Sequence, residues 1–192
     1  MNKKIRCAWP GANELMIKYH DEEWGVPNHD DRKWFEYITL DAFQAGLSWS
    51  IVLNKRQNFR KAFDNFDPLK ISKYNQNKVD ELIQDAGIIR NKLKINATIT
   101  NANAFLEVQK EYGSFDKYIW QFVKGKPIIN NWKTVSKLPA STLESDKLSV
   151  DLKKRGFKFV GTTICYAFMQ SAGMVNDHVV TCFRYKEVIE NI

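Results

Sequence analysis

An all-α fold is expected for this 192-residue chain on three grounds. Apolar residues recur at helical spacing along most of its length. Good N-cap types open those runs and glycines close them. No stretch alternates apolar and polar residues as a half-buried strand would.

The elements follow in order. "DDRKWFEYITLDAFQAG" opens on Asp30 and Asp31, residues suited to a helix N-cap, and stops near Gly46. "SWSIVLNKRQNFRKAF" follows, with Ser48 as cap and Ile51, Val52, Phe59 and Phe63 as its apolar stripes. Asp67-Pro68 is a cap-then-N1 pair that starts a short helix. "NKVDELIQDAGI" is expected to end at Gly87 as a left-handed C′ residue. A longer helix fits "RNKLKINATITNANAFLEVQKEY", closing at Gly113, and "SFDKYIWQFV" adds another. The loop "KGKPIINNWKTVSKLPAST" is the stretch able to hold extended structure. Two helices, "LESDKLSVDLKKRG" and "VGTTICYAFMQSAG", then meet across a very short turn. At this length one well-buried domain, or two small lobes sharing a core, can form, and no linker separates such lobes.

Composition narrows the function. No run approaches 18 apolar residues, so no membrane-spanning helix is indicated. The basic N-terminus lacks the apolar core of a secretory signal. Three cysteines, an odd number, argue against a disulfide framework and leave thiols or metal ligands. A net charge of +7 favours a polyanionic partner such as nucleic acid.

Three constellations carry chemistry. In "LKKRGFKFVGTTICYAFMQ", Gly156 and Gly161 bracket a turn that holds Lys158, with Lys153, Lys154 and Arg155 beside it. The glycines allow close backbone approach and positive φ, and the following helix presents free N–H groups. Such a site suits a phosphate, whereas the plain alternative is a helical hairpin with a solvated basic end. In "VNDHVVTCFRYK", His178 and Cys182 at i, i+4 are expected on one helix face. Cys7 and His20 would complete a tetrahedral Cys2His2 set, closed and therefore structural. The alternative is a core histidine beside a small buried thiol. Finally, Asp41 lies within an almost wholly apolar helix in "ITLDAFQAGLSW", with Gln44 one turn on and Trp49 just beyond. A carboxylate there is costly unless it is paired or lines a pocket. Trp9, Tyr19 and Trp24 supply further aromatics, either as core or as a box for a flat, cationic ring.

Four stretches, "YHDEEWGVP", "QAGLSW", "DAGIIRNKLKI" and "LKKRGFKFVGTTICYAFMQSAGMVNDHVVTC", together closely resemble the DNA-3-methyladenine glycosylase I family, in order from about Cys7 to Cys182. The resemblance implies a two-lobed, all-α member of the helix-hairpin-helix glycosylase superfamily acting in base excision repair. It implies one structural zinc per chain on Cys7, His20, His178 and Cys182, and DNA anchoring by the hairpin at Gly156, Lys158 and Gly161. Tyr19 and Trp49 map onto the family's base pocket, with Trp9 and Trp24 nearby. Gly46 and Leu47 match the loop that fills the gap left by the extruded nucleotide. The family usually has glutamate where this chain has Asp41, one methylene shorter, so rate and substrate range are where it is expected to differ.

The implied function is hydrolysis of the N-glycosidic bond of 3-methyladenine in double-stranded alkylated DNA. The family is monofunctional, so strand cleavage is not expected. A monomer in the bacterial cytoplasm, without membrane association, is the implied context. Two alternatives stand beside it. One is a damage-inspection protein whose cleavage is weakened by Asp41, and the other is a zinc-stabilised helical adaptor.

Overall fold

The computed structural model describes residues 4–191. Ten α-helices run in the order α1 (Glu14–Glu22), α2 (Asp31–Gln44), α3 (Trp49–Ala62), α4 (Pro68–Ile71), α5 (Gln76–Gln84), α6 (Lys92–Tyr112), α7 (Phe115–Ile119), α8 (Leu143–Lys154), α9 (Thr162–Ser171) and α10 (Phe183–Glu190) among the described residues. Short 3₁₀ turns occupy Asp64–Phe66, Trp120–Val123 and Val135–Lys137. The all-α expectation is met, and no described helix is long and apolar enough to cross a membrane.

Most boundaries are set by local capping. The Asp30 carboxylate accepts from the amides of Arg32 and Lys33, and that of Asp67 accepts from Leu69 with Pro68 at N1. Thr142 and Ser145 form a reciprocal capping box at α8. Gly113, at φ +84°, closes α6 as expected. Gly87 does not act as a left-handed cap. α5 stops earlier, and the Gly87 amide donates to the Asp85 carboxylate at 2.7 Å. A Cβ at Gly87 would crowd Asp85 and Asn58, so close packing rather than φ governs that position.

α2 runs through the middle of the molecule, with every residue from Trp34 to Phe43 buried. That explains its apolar character on nearly every face. Around it pack Phe105 and Phe115 (centroids 4.2 Å apart), Phe59, Phe168 and Leu148. A second, smaller cluster joins both ends of the chain through Cys7, Tyr19, Trp24, Val179 and Cys182, and Trp49 packs against both clusters.

Two features depart from the sequence reading. The 124–142 loop does hold extended backbone, at β1 (Ile128–Ile129), but its parallel partner β2 (Val175–Asn176) was not foreseen. Two residues are too few to show alternation. The helix expected to carry His178 and Cys182 does not form there. Residues 177–182 are a loop, and Cys182 is only the N-cap of α10. The reason is that the local amides have other acceptors: His178 N–H donates to Asn176 Oδ1, Val180 N–H to the Trp132 carbonyl and Cys182 N–H to the Val179 carbonyl. Gly173 (φ +71°) ends α9 where the 26–27 backbone crosses, and a Cβ there would lie 2.1 Å from the Val26 carbonyl carbon.

Candidate functional site

A cavity of about 320 Å³ opens between α1, α2, the start of α3, α9 and the 135–139 loop. Trp9, Tyr19, Trp24, Asp41 and Trp49, singled out from the sequence, all line it. The aromatic walls interlock, with Trp9 to Trp24 and Tyr19 to Trp49 each 5.1 Å between centroids. Such walls can sandwich a flat ring. The indole N–H groups of Trp9 and Trp49 are buried without a hydrogen-bond partner, donors that a polar ligand would satisfy. Gly46 and Leu47 do not line the cavity. They form the exposed turn between α2 and α3, both of which contribute to its walls, with Gly46 at φ +78°.

Asp41 is 1% exposed, and Ser171 Oγ donates to its Oδ2 at 3.1 Å. Burial pushes its pKa up to about 8, against the lowering effects of the Ser171 hydrogen bond and the Arg56 charge. Tyr19, buried beside it, is raised well above the ordinary phenol value, mainly by desolvation, and so remains a proton donor. This is a wall that gains from a cation: a positive ring would favour the ionised Asp41 that burial disfavours. Gln44, also singled out from the sequence, lines the cavity too, whereas sequence reading missed Met16, Val135, Leu138, Pro139, Ala167, Gln170 and Ser171. The polar pair Gln170-Ser171, in an otherwise apolar helix, was the available signal.

Cys7, His20, His178 and Cys182 are all buried and offer one ligand atom each within 4.8 Å of one another, so they could hold a metal ion. The loop replacing the expected helix therefore still brings the set together. Ligand atoms around tetrahedral zinc stand roughly 3.3–3.8 Å apart. Here Cys7 Sγ to His178 Nδ1 is 3.7 Å, Cys182 Sγ to His178 Nδ1 3.6 Å and Cys182 Sγ to His20 Nε2 3.5 Å. The outer nitrogens are engaged as well. His20 Nδ1 lies 2.8 Å from Asp21 Oδ1, which Arg6 grips, and His178 Nε2 lies 3.0 Å from the Trp24 carbonyl. These contacts leave the inner lone pairs free for an ion. The proximity of the two sulfurs lowers the pKa of Cys182 and raises that of Cys7, so without an ion the pair favours a single thiolate, and an entering cation displaces the remaining proton. The donor set fits zinc.

The turn between α8 and α9 is held from outside. Asn101 of α6 accepts from the Lys158 amide (2.7 Å) and donates to its carbonyl (3.1 Å). Gly156 has the expected positive φ (+94°), but Gly161 does not: it is the extended N-cap of α9, at φ −62°. Phe159 takes the left-handed conformation instead, at φ +56°. Gly161 faces open space, since a Cβ there would meet nothing within 4 Å. Lys153, Lys154 and Lys158 are exposed, whereas Arg155 is turned inward onto Glu111, Asp151 and Tyr112. Arg155 is therefore already paired with two carboxylates.

The sequence pattern of the methyladenine glycosylase family matches residues 9–185. The chain is 52% identical over 180 residues to DNA-3-methyladenine glycosylase 1 of Escherichia coli K12, covering 94% of this chain and 96% of that one. A crystal structure of 3-methyladenine DNA glycosylase I superposes with a TM-score of 0.91 at 51% identity, covering 93% of this chain and 98% of that one. A variant of 3-methyladenine DNA glycosylase I, solved in complex with 3-methyladenine, superposes at 0.90 with 31% identity, covering 93% and 96%.

Proposed function

The chain belongs to the methyladenine glycosylase family and removes 3-methyladenine from alkylated DNA by hydrolysing its N-glycosidic bond; we propose that the aromatic cavity around Asp41 is where it does so. The observation that carries this reading is a buried carboxylate in the wall of a cavity lined mainly by aromatic and apolar side chains.

N3-alkylation makes adenine cationic in DNA, so the bond to its sugar is already weakened and departure needs no further protonation. What the protein must supply is extrusion, grip and electrostatics. Tyr19 and Trp49 stack on the flipped ring, with Trp9 and Trp24 closing the box. Ionised Asp41 accepts hydrogen bonds from the base and stabilises positive charge in the cavity. The C1′–N9 bond breaks with its electron pair going to the base, which leaves neutral. Water adds to C1′, loses a proton and leaves an abasic site.

The scaffold has the two-lobed helix-hairpin-helix form, acts as a monomer and engages double-stranded DNA. One zinc on Cys7, His20, His178 and Cys182 supplies a structural crosslink when bound, and all four positions are filled by protein, so it takes no part in the reaction. Gly46 and Leu47 fill the gap in the duplex. Lys158 and the open α9 N-terminus at Gly161 hold the DNA backbone.

Incubation with methylated DNA should release free 3-methyladenine, detected by chromatography. An inspection protein would bind DNA without releasing base, and an adaptor would show no salt-dependent DNA affinity. Lys158→Glu combined with Gly161→Val should weaken binding to unrelated duplexes alike and reduce the salt slope by about one charge. A loss confined to one base sequence would contradict a phosphate-contacting hairpin.

A further inference from the structure

Lys94 stands in an unusual place for a cation. It is 6% exposed, lies in the first turn of α6, and has no carboxylate within ion-pair reach among the described residues. A positive charge in the first turn of a helix opposes that helix's own dipole, so α6 gains nothing from it. Its Nζ instead donates to the carbonyls of Phe43 (2.8 Å) and Ala45 (2.6 Å). Phe43 lies in the last turn of α2 and Ala45 is its C-cap; that turn has no basic residue of its own, and its terminal carbonyls lack intrahelical partners. The next two residues are Gly46 and the exposed Leu47. Asp41 lies just before this segment and Trp49 just after it, both in the cavity wall. On the other side, Nζ sits 6.0 Å from the centroid of the Phe159 ring, the left-handed residue of the α8–α9 turn.

One lysine therefore touches the end of the helix that carries Asp41, the turn that carries Leu47 and the hairpin that faces DNA. We propose that Lys94 is a positioning residue. It fixes the 43–47 turn against the hairpin, so that DNA held by the hairpin meets Leu47 at the height needed to occupy the vacated nucleotide position. The proposal rests on the glycosylase reading above for the role of that turn. Without the ammonium, one buried and one half-buried carbonyl lose their donor, and the turn is free to drift relative to Phe159.

The test uses Lys94→Met, which keeps the apolar stem, Lys94→Gln as a second substitution, and Lys94→Arg, which keeps the charge. A duplex carrying 2-aminopurine beside an abasic-site analogue reports occupation of the gap by fluorescence, with no excision required. Wild-type protein should change that signal on binding, and Leu47→Ala should not. Lys94→Met should lose most of the change and excise 3-methyladenine from duplex DNA about 10- to 100-fold more slowly, the scale expected for a small misplacement of a positioning element. Its affinity for the free base and for undamaged duplex should stay within about twofold, and Lys94→Arg should restore most of the signal. Should the methionine variant not fold, the glutamine variant, uncharged and with a shorter reach to the two carbonyls, is expected to show the same pattern in milder form. A variant with the full fluorescence change overturns the proposal, as does one whose free-base affinity falls in step with excision, which would mark a merely structural lysine. Wild-type protein that changes the signal yet releases no base counts against the glycosylase reading alone.

Discussion

Asp41→Asn should slow excision of 3-methyladenine by roughly 10- to 1000-fold, the range for removing an electrostatic stabiliser worth a few kcal/mol. The substitution keeps the volume and the Ser171 contact while removing the charge. Stability should move the other way. With its pKa near 8 in the folded state and an ordinary value of 3.8 in the unfolded chain, Asp41 holds a proton in the folded protein that the unfolded chain releases. Its contribution therefore becomes more unfavourable as pH rises from about 4 to about 8 and then levels off. Asp41→Asn should accordingly melt higher than wild type at pH 8 and about equally at pH 4. Wild-type kcat/KM should rise with pH as the carboxyl ionises and flatten above about 8, and the variant should lack that limb. Asp41→Glu should keep or raise activity where the cavity accommodates the extra methylene. A folded Asp41→Asn protein that excises at the wild-type rate would remove the carboxylate from the mechanism.

Protein purified without chelator should carry about one zinc per chain, and stripping it should lower the melting temperature by on the order of 10 °C or more. Cys7→Ser or Cys182→Ser should do the same, because either change opens a set that ties the first turns of the chain to its last helix. Asp21→Asn should be milder, weakening zinc retention about 10- to 100-fold by releasing the His20 imidazole from its outer contact. Activity should fall only as far as the folded fraction does. Metal-free protein with an undiminished melting temperature would contradict the structural role.

Local chemistry made much of this architecture readable in advance. Asp30, Asp67 and Gly113 act within a residue or two of the helix ends they define, so their effect is written in the sequence itself. The aromatic residues and Asp41 could be singled out because a carboxylate in an apolar helix is costly unless the tertiary structure gives it a use. The Cys and His residues could be named as a set from their chemistry, even though the helix assigned to two of them is a loop. What stayed hidden depends on partners far away in the chain. The Ser171 hydroxyl that bonds Asp41 lies 130 positions away, Lys94 reaches carbonyls 49 and 51 positions distant, and the Asn101 clamp on the hairpin spans 57. The composition of the cavity wall, the elevated pKa of Asp41 and the inward turn of Arg155 arise only when these segments pack. Residue type and local backbone preference determine which helices form and which residues carry chemistry. Desolvation and long-range hydrogen bonding, which exist only in the folded chain, decide how that chemistry is tuned.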